Sequence, residues 1–381
     1  MATSSQATNV IQAPQDWVAL AHRLGRRFAE RTAGHDANDS FVSGNYAELK
    51  EAHVFSAGVP AELGGGGASH AELGAMLQTL ARYCSSTALA LSMHTHLVAT
   101  AAWRWRNEGA PVEPLLRRIA TEQPVLISSG GSDWLQGSGK AVPVEGGFRV
   151  TGRKIFASGS PAGQIFMTMA VLEDGVDQPT VLHLAVPFNA PGVKVQDNWR
   201  TLGMRGTGSN DVILEDVFVP TAAAPIRRPR GWAPIMHTIS NIAFPLIYSV
   251  YLGVAEAARD QAVQEAQRKR DDPAAQYLVG EMETELMAAR LAVASMMQTA
   301  QSPKFNAETT NALFMARTLA GRHAVRTVEK AMEIAGGSAF FRARGLERLF
   351  RDVQAARYHP LQEKPQQLYA GRMALGVDVN G

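Results

Sequence analysis

The chain has 381 residues, 46% apolar and 19% charged, enough for two or three domains and too apolar for a disordered or fibrous protein. Lys and Arg number 37 and Asp and Glu 35, and the resulting net charge of +2 leaves no nucleic-acid footprint. One cysteine, Cys84, excludes a disulfide framework and a cysteine-rich metal site, so no metal is expected. The N-terminal segment lacks an apolar signal core. The most apolar stretch, Ser86 to Trp103, holds His94 and His96 near its centre and reads as a buried helix, not a membrane span. A soluble, cytoplasmic protein of several domains is expected, without nucleic-acid or membrane partners.

Three composition zones follow one another. Residues 1–122 read as helical, with apolar residues three or four apart in Tyr46-Ala-Glu-Leu and from Leu73 to Leu80. Gly64 to Gly67 break this zone with a loop, and Ser69 with Glu72 forms a capping-box pattern for the next helix. Residues 123–226 switch to period two. Val142 and Val144, then Gly146-Gly147, then Phe148 and Val150 predict a hairpin, and Val212 to Pro220 predicts a strand ending at proline. Residues 227–381 return to helix. Leu313, Ala316, Leu319, Ala320, Ala324, Val328, Ala331 and Ala335 mark one apolar face, and Gly336 stands where a helix C-cap belongs. Long striped helices of this kind predict a bundle.

The residue chemistry alone leaves the function open. Gly130-Gly131-Ser132-Asp133 and Gly203 to Ser209 can bring backbone N–H groups close to a phosphate or a ring, but they read equally as β-turns. Neither fits the Rossmann or P-loop pattern. His94 and His96 are two apart and would point to different helix faces, so they do not share a metal. Each, like His359 before Pro360, reads as a satisfied core residue or as a catalyst.

Five short motifs in a fixed order resemble the acyl-CoA dehydrogenase superfamily over nearly the whole chain. They are Val59-Pro60-Ala61-Glu62-Leu63-Gly64-Gly65, Gly131-Ser132-Asp133, Leu202-Gly203-Met204-Arg205 with Glu215 to Pro220, Ile334-Ala335-Gly336-Gly337, and Glu347 to Asp352. The resemblance implies an α+β fold: an N-terminal α-helical domain (1–122), a central β-barrel domain (123–226) and a C-terminal four-helix bundle (227–381). It also implies a bound flavin, FAD or FMN, and a homotetramer in which a neighbouring subunit completes each flavin site. The implied flavin contacts are Ser128, Ser132, Phe156, Ser158, Arg268, Gly336 and Gly337.

The same resemblance exposes departures. Dehydrogenases of this family need a carboxylate base to remove a proton beside an acyl thioester. Its two usual positions fall here at Pro360 and near Ala243, and no Asp or Glu occurs between Asp216 and Glu256. The family's W-I-T segment is Phe156-Ala157-Ser158, which places Ser158 where a Thr bonds near flavin N5. The R-x-x-F-G segment is Arg268 to Asp272, with Phe and Gly lost, and Glu333 replaces the Gln before the glycine pair. These changes resemble the two-component flavin monooxygenases of the same fold, such as dibenzothiophene monooxygenase. That branch carries F-x-S-G (Phe156 to Gly159), R-G-T-G-S (Arg205 to Ser209), a histidine after the R-D aspartate (His359), and one on an N-terminal helix (His94, with His96 as the alternative).

The expected activity is monooxygenation of a small organic substrate by O2 and flavin delivered reduced by a separate reductase, with His359, His94 and Ser158 as catalytic residues. Two other readings stand beside it. One is an acyl-CoA dehydrogenase with a displaced base such as Glu363. The other is a non-catalytic flavin- or thioester-binding relative.

Overall fold

The computed structural model describes residues 15–173 and 179–380. Five helices come first: α1 (Trp17–Ala37), α2 (Ser43–Glu51), α3 (His70–Ala81), α4 (Ser85–Glu108) and α5 (Glu113–Glu122). The expected capping box opens α3: Glu72 accepts from the Ser69 N–H at 2.8 Å, and the Ser69 hydroxyl accepts from the Glu72 N–H at 3.2 Å. The apolar stretch around the paired histidines forms α4, which is buried along most of its length.

The central zone contains β1 (Leu126–Ser128), the single turn α6 (Gly131–Trp134), β2 (Lys140–Val144), β3 (Gly147–Ala157), β4 (Ile165–Leu172), β5 (Thr180–Pro187), β6 (Val193–Val195), β7 (Asn210–Pro220) and β8 (Ile226–Pro229). These strands make one eight-stranded sheet in the order β6-β7-β3-β2-β4-β5-β8, with β1 beside β4. The predicted hairpin is β2–β3, with Val142 opposite Arg149. The short strand β8 straddles residue 226 because its pairing with β5 continues to Pro229.

The chain ends in α7 (Pro234–Ala266), α8 (Pro273–Thr299), α9 (Ala307–Ala335), α10 (Leu346–Val353) and α11 (Glu363–Leu375). Helix α7 is long and apolar enough to cross a bilayer, yet 94% of its most apolar window is buried inside the protein. On α9 the predicted stripe is buried at Leu313, Ala316, Ala320, Ala324, Val328 and Ala331. Leu319 departs from it and is 46% exposed. It stands one residue, about 100° of helix rotation, away from Ala320.

The R-D pair near the C-terminus locks the three zones together. The Arg351 guanidinium pairs with Asp36 of α1 at 2.6 Å and with Glu347 at 2.7 Å, and donates to the Leu202 carbonyl at 3.0 Å. The neighbouring Asp352 is fully buried and accepts from the Ser85 hydroxyl of α4 and from the Met204 N–H. Burial raises its pKa, and the two donors oppose that rise. Gly203 lies directly against this helix: a Cβ there would sit 2.3 Å from the Arg351 carbonyl oxygen. The L-G-M-R and E-R-L-F-R-D motifs are thus two halves of one contact. Gly203→Ala is expected to lower the free energy of unfolding by about 1–3 kcal/mol, read by urea denaturation, because the loop must back away from α10.

Candidate active site

The site begins where β3 breaks its ladder. Its register against β7 shifts between Lys154 and Ala157. At this bulge Phe156 adopts φ +57°, a left-handed conformation that costs a bulky residue on the order of 1–3 kcal/mol. The bulge turns the phenyl ring outward, 50% exposed, with the Trp199 ring edge-on at 5.8 Å between centroids.

A polar anchor holds this strained segment. Lys154 and Asp133 form an ion pair at 2.8 Å with both side chains essentially inaccessible. Asp133 also accepts from Ser129 at 2.5 Å, Thr168 at 2.7 Å and the Met169 N–H at 3.2 Å. An isolated buried pair is weak support, but this carboxylate is saturated with donors, and removing either partner would strand a buried charge. The anchor fixes the G-G-S-D loop beside the end of β3. There the Gly130 N–H donates to the Ile155 carbonyl at 3.0 Å, and a Cβ on Gly130 would meet that oxygen at 2.5 Å. Ser128 closes β1 next to this loop, paired with Met167. The Ser132 side chain lies outside the described residues.

Ser158 follows the bulge. Its hydroxyl lies 2.7 Å from that of Ser209, which in turn lies 2.7 Å from that of Thr207. The next residue is tied to the same loop, the Gly159 N–H donating to the Thr207 carbonyl at 2.9 Å.

The two helical histidines have different surroundings. His94 Nδ1 accepts from the Leu126 N–H at 3.0 Å, so Nε2 carries the proton and donates to the Phe55 carbonyl at 2.7 Å. Both ring nitrogens therefore serve the scaffold, joining α4 to β1 and to the Phe55 turn. His96 is turned to another face, and its buried Nδ1 has no partner among the described residues. Burial lowers both to about 4, and the neighbouring imidazole adds to the effect at His96.

His359 lies within electrostatic reach of His96. It is half-buried, with its ring against that of Tyr251 of α7 at 5.6 Å. Burial, the Arg317 charge and the His96 ring together lower it to about 3. Arg317 of α9 also holds the segment in place by donating to the carbonyls of Ala356, at 3.1 Å, and His359. Tyr248 donates to the same Ala356 carbonyl at 2.8 Å. The Tyr251 hydroxyl and Arg317 Nε are buried without partners among the described residues. The structure thus groups His96, Tyr251, Arg317 and His359 in one neutral-to-basic cluster.

Other expected residues lie elsewhere. Arg268 is exposed at the end of α7 and pairs with Glu265 at 3.1 Å. Gly336 and Gly337 have open space where a Cβ would stand, and Phe340 beyond them is 85% exposed. No described contact joins these residues to Phe156 or Ser158. Glu363 is half-exposed at the start of α11 and bonded to Arg322, which holds its carboxyl below the usual range. Ala243 is buried in α7.

These residues fit a flavin. Phe156 and Trp199 offer an apolar ring surface, Ser158 a hydroxyl beside it, and His96 and Tyr251 polar atoms that lack partners. Thr207, Ser209, Tyr251 and Arg317 carried no individual role in the sequence reading. The hydroxyl spacing in R-G-T-G-S was the only sequence signal for the first pair, and nothing local marked the second.

Comparison with known proteins agrees along the chain. Residues 19–110, 128–217 and 246–363 match the N-terminal, middle and C-terminal domains of the acyl-CoA dehydrogenases. A putative acyl-CoA dehydrogenase of Bacillus subtilis, YdbM, is 29% identical, with 91% of this chain and 93% of the relative covered. The amino sugar nitrososynthase DnmZ of Streptomyces peucetius is also 29% identical, over 87% of this chain and 86% of the relative. The solved structure of KijD3 with FMN and a dTDP-linked 3-amino-4-keto sugar superposes with a TM-score of 0.87 at 26% identity, covering 98% of this chain and 96% of that one.

The depressed histidines make the fold acid-sensitive. At His94 the fold excludes a proton that the unfolded chain binds at its ordinary value of 6.5, so its contribution is complete above that pH and is lost as pH falls toward about 4. At pH 5 the loss for this one residue is on the order of 1–2 kcal/mol. Urea denaturation at pH 7 and pH 5 is expected to show this drop, and His94→Gln to reduce it.

Proposed function

This chain belongs to the acyl-CoA dehydrogenase superfamily, and on that premise we propose that it is a flavin-dependent monooxygenase acting on a small organic substrate. The observation that carries this reading is the character of the cluster around His359. A dehydrogenase of this fold needs a carboxylate base, and here the two family positions are Pro360 and the region of Ala243. Glu363 is half-exposed and tied up in its pair with Arg322. In place of a base stand two imidazoles held neutral by burial, beside an unpartnered phenol.

FMN is the flavin best supported, with Ser128, Phe156 and Ser158 as its contacts. The family's R-x-x-F-G segment keeps only its Arg, Arg268, and Glu333 replaces the Gln before Gly336-Gly337, which weakens the grip on the adenine half of FAD. Reduced flavin, when bound, supplies the two electrons with which one atom of O2 enters the substrate while the other leaves as water. Ser158 holds the N5 position. Phe156 and Trp199 line the ring, and the buried aromatic wall of Tyr46 and Phe55 keeps water out. His96 and His359 stay unprotonated at neutral pH, so each can accept a hydrogen bond from a substrate N–H or O–H, and Tyr251 can donate to the incoming oxygen. His96, with its free Nδ1, takes the place first expected for His94. The nitrososynthase relative and the amino sugar bound to KijD3 make amines the first substrate class to test.

A separate reductase would supply the reduced flavin. The reading includes a cytoplasmic homotetramer, supported by the apolar residues exposed along α8 and α9: Tyr277, Met287, Leu291, Met315 and Leu319.

His359→Ala is expected to bind FMN as the wild type does but to release most of its oxygen as hydrogen peroxide, with product per reduced flavin falling about ten-fold or more. Unchanged coupling removes His359 from the mechanism. Bleaching of the oxidised flavin by an acyl-CoA under anaerobic conditions, abolished by Glu363→Gln, favours the dehydrogenase instead.

A further inference from the structure

Three buried hydroxyls stand in a row from Ser158 through Ser209 to Thr207, and the acceptor at the inner end of the row sets their proton directions. The row ends on the Met204 carbonyl, which can only accept. Thr207 Oγ1 lies 2.9 Å from that oxygen. That carbonyl also accepts from the Trp199 Nε1–H at 3.0 Å and the Thr207 N–H at 3.1 Å, and the Thr207 hydroxyl is the third donor turned toward it. Ser209, 2.7 Å from Thr207, must then donate to it. Ser158, 2.7 Å from Ser209, must donate in turn. All three side chains are buried, at 0%, 4% and 8% exposure from Thr207 outward, so bulk water cannot reverse the row. Met204 is also held from its other side, where its N–H is bonded to Asp352.

We infer that Thr207 and Ser209 are positioning residues that turn the Ser158 hydroxyl proton inward and leave only its lone pairs facing the flavin. This rests on the reading of Ser158 as the N5 partner. Its consequence is selection by redox state. Reduced flavin carries a proton on N5 and donates to Ser158. Oxidised flavin presents a lone pair there and meets another lone pair. The site therefore favours the reduced form before any oxygen chemistry occurs, as suits an enzyme that receives flavin already reduced.

The test compares dissociation constants of oxidised FMN and of anaerobically reduced FMN for the wild type and four variants, with thermal midpoints as the check on folding. The wild type is expected to prefer reduced FMN. In Ser209→Ala the Ser158 proton has lost its inward acceptor and turns toward N5, so oxidised FMN binds more tightly and the preference drops about five-fold or more, the size of one hydrogen bond. Thr207→Ser keeps the row and the wild-type ratio. Thr207→Val frees the Ser209 proton to reverse and loses preference in the same direction as Ser209→Ala, which keeps the test available where the latter does not fold. Ser158→Ala loses the preference without gaining affinity for oxidised FMN. A wild-type ratio in both Ser209→Ala and Thr207→Val, with loss only in Ser158→Ala, overturns the inferred row and leaves Ser158 at N5. A wild-type ratio in Ser158→Ala overturns both.

Discussion

The buried carboxylate of Asp352 is the contact on which the site depends. It reaches from the C-terminal bundle to the Ser85 hydroxyl at the start of α4 and to the Met204 N–H of the central domain. A carboxyl group in this position is costly unless it is bonded, because burial alone drives it toward its neutral form. Gly203 supplies the close approach, and Arg351 supplies the outer clamp through Asp36 and Glu347. Met204, whose N–H donates to Asp352, carries in its next peptide unit the carbonyl on which the Thr207–Ser209–Ser158 row ends. Met204 thus connects docking of the bundle to the loop that bears the hydroxyl row.

A second polar anchor holds the end of β3 that leads into Ser158. Lys154 occupies an inward position of β3 where an apolar residue would be usual, and Asp133 meets it there. This pair holds the end of β3 while Phe156 is kept in a backbone conformation it would not choose. Strain at the ring-bearing surface is thus balanced by hydrogen bonds one turn away. The cluster on the other side uses burial instead of pairing. His96 is kept neutral by desolvation and the His94 ring, and His359 by desolvation, the Arg317 charge and the His96 ring. A cluster of that character can accept a hydrogen bond but offers no carboxylate to remove a proton beside a thioester.

Much of this was legible in the sequence where the signal is local. The Ser69–Glu72 box, the β2–β3 hairpin and the α9 stripe each depend on residues within a few positions of one another. The motif order carried the fold for the same reason. The roles of His94 and His96 were not legible. What separates them is whether a backbone group lies in reach, and the partners of His94 are 39 and 32 residues away. Asp352 is more extreme, with partners 267 and 148 residues distant. Ser209 and Thr207 lay within a quoted motif, yet the direction of a hydroxyl proton follows from the acceptor at the end of the row, which only the folded loop defines. Leu319 shows the converse: an apolar residue beside the stripe reads as core until the facing helix is seen not to reach it.

The most direct measurement of the flavin monooxygenase claim is a stopped-flow reaction of the protein, loaded with anaerobically reduced FMN, against oxygenated buffer. The expected result is a transient absorption distinct from that of oxidised FMN, persisting before the oxidised spectrum returns. Single-phase return to oxidised FMN with one hydrogen peroxide released per flavin contradicts it.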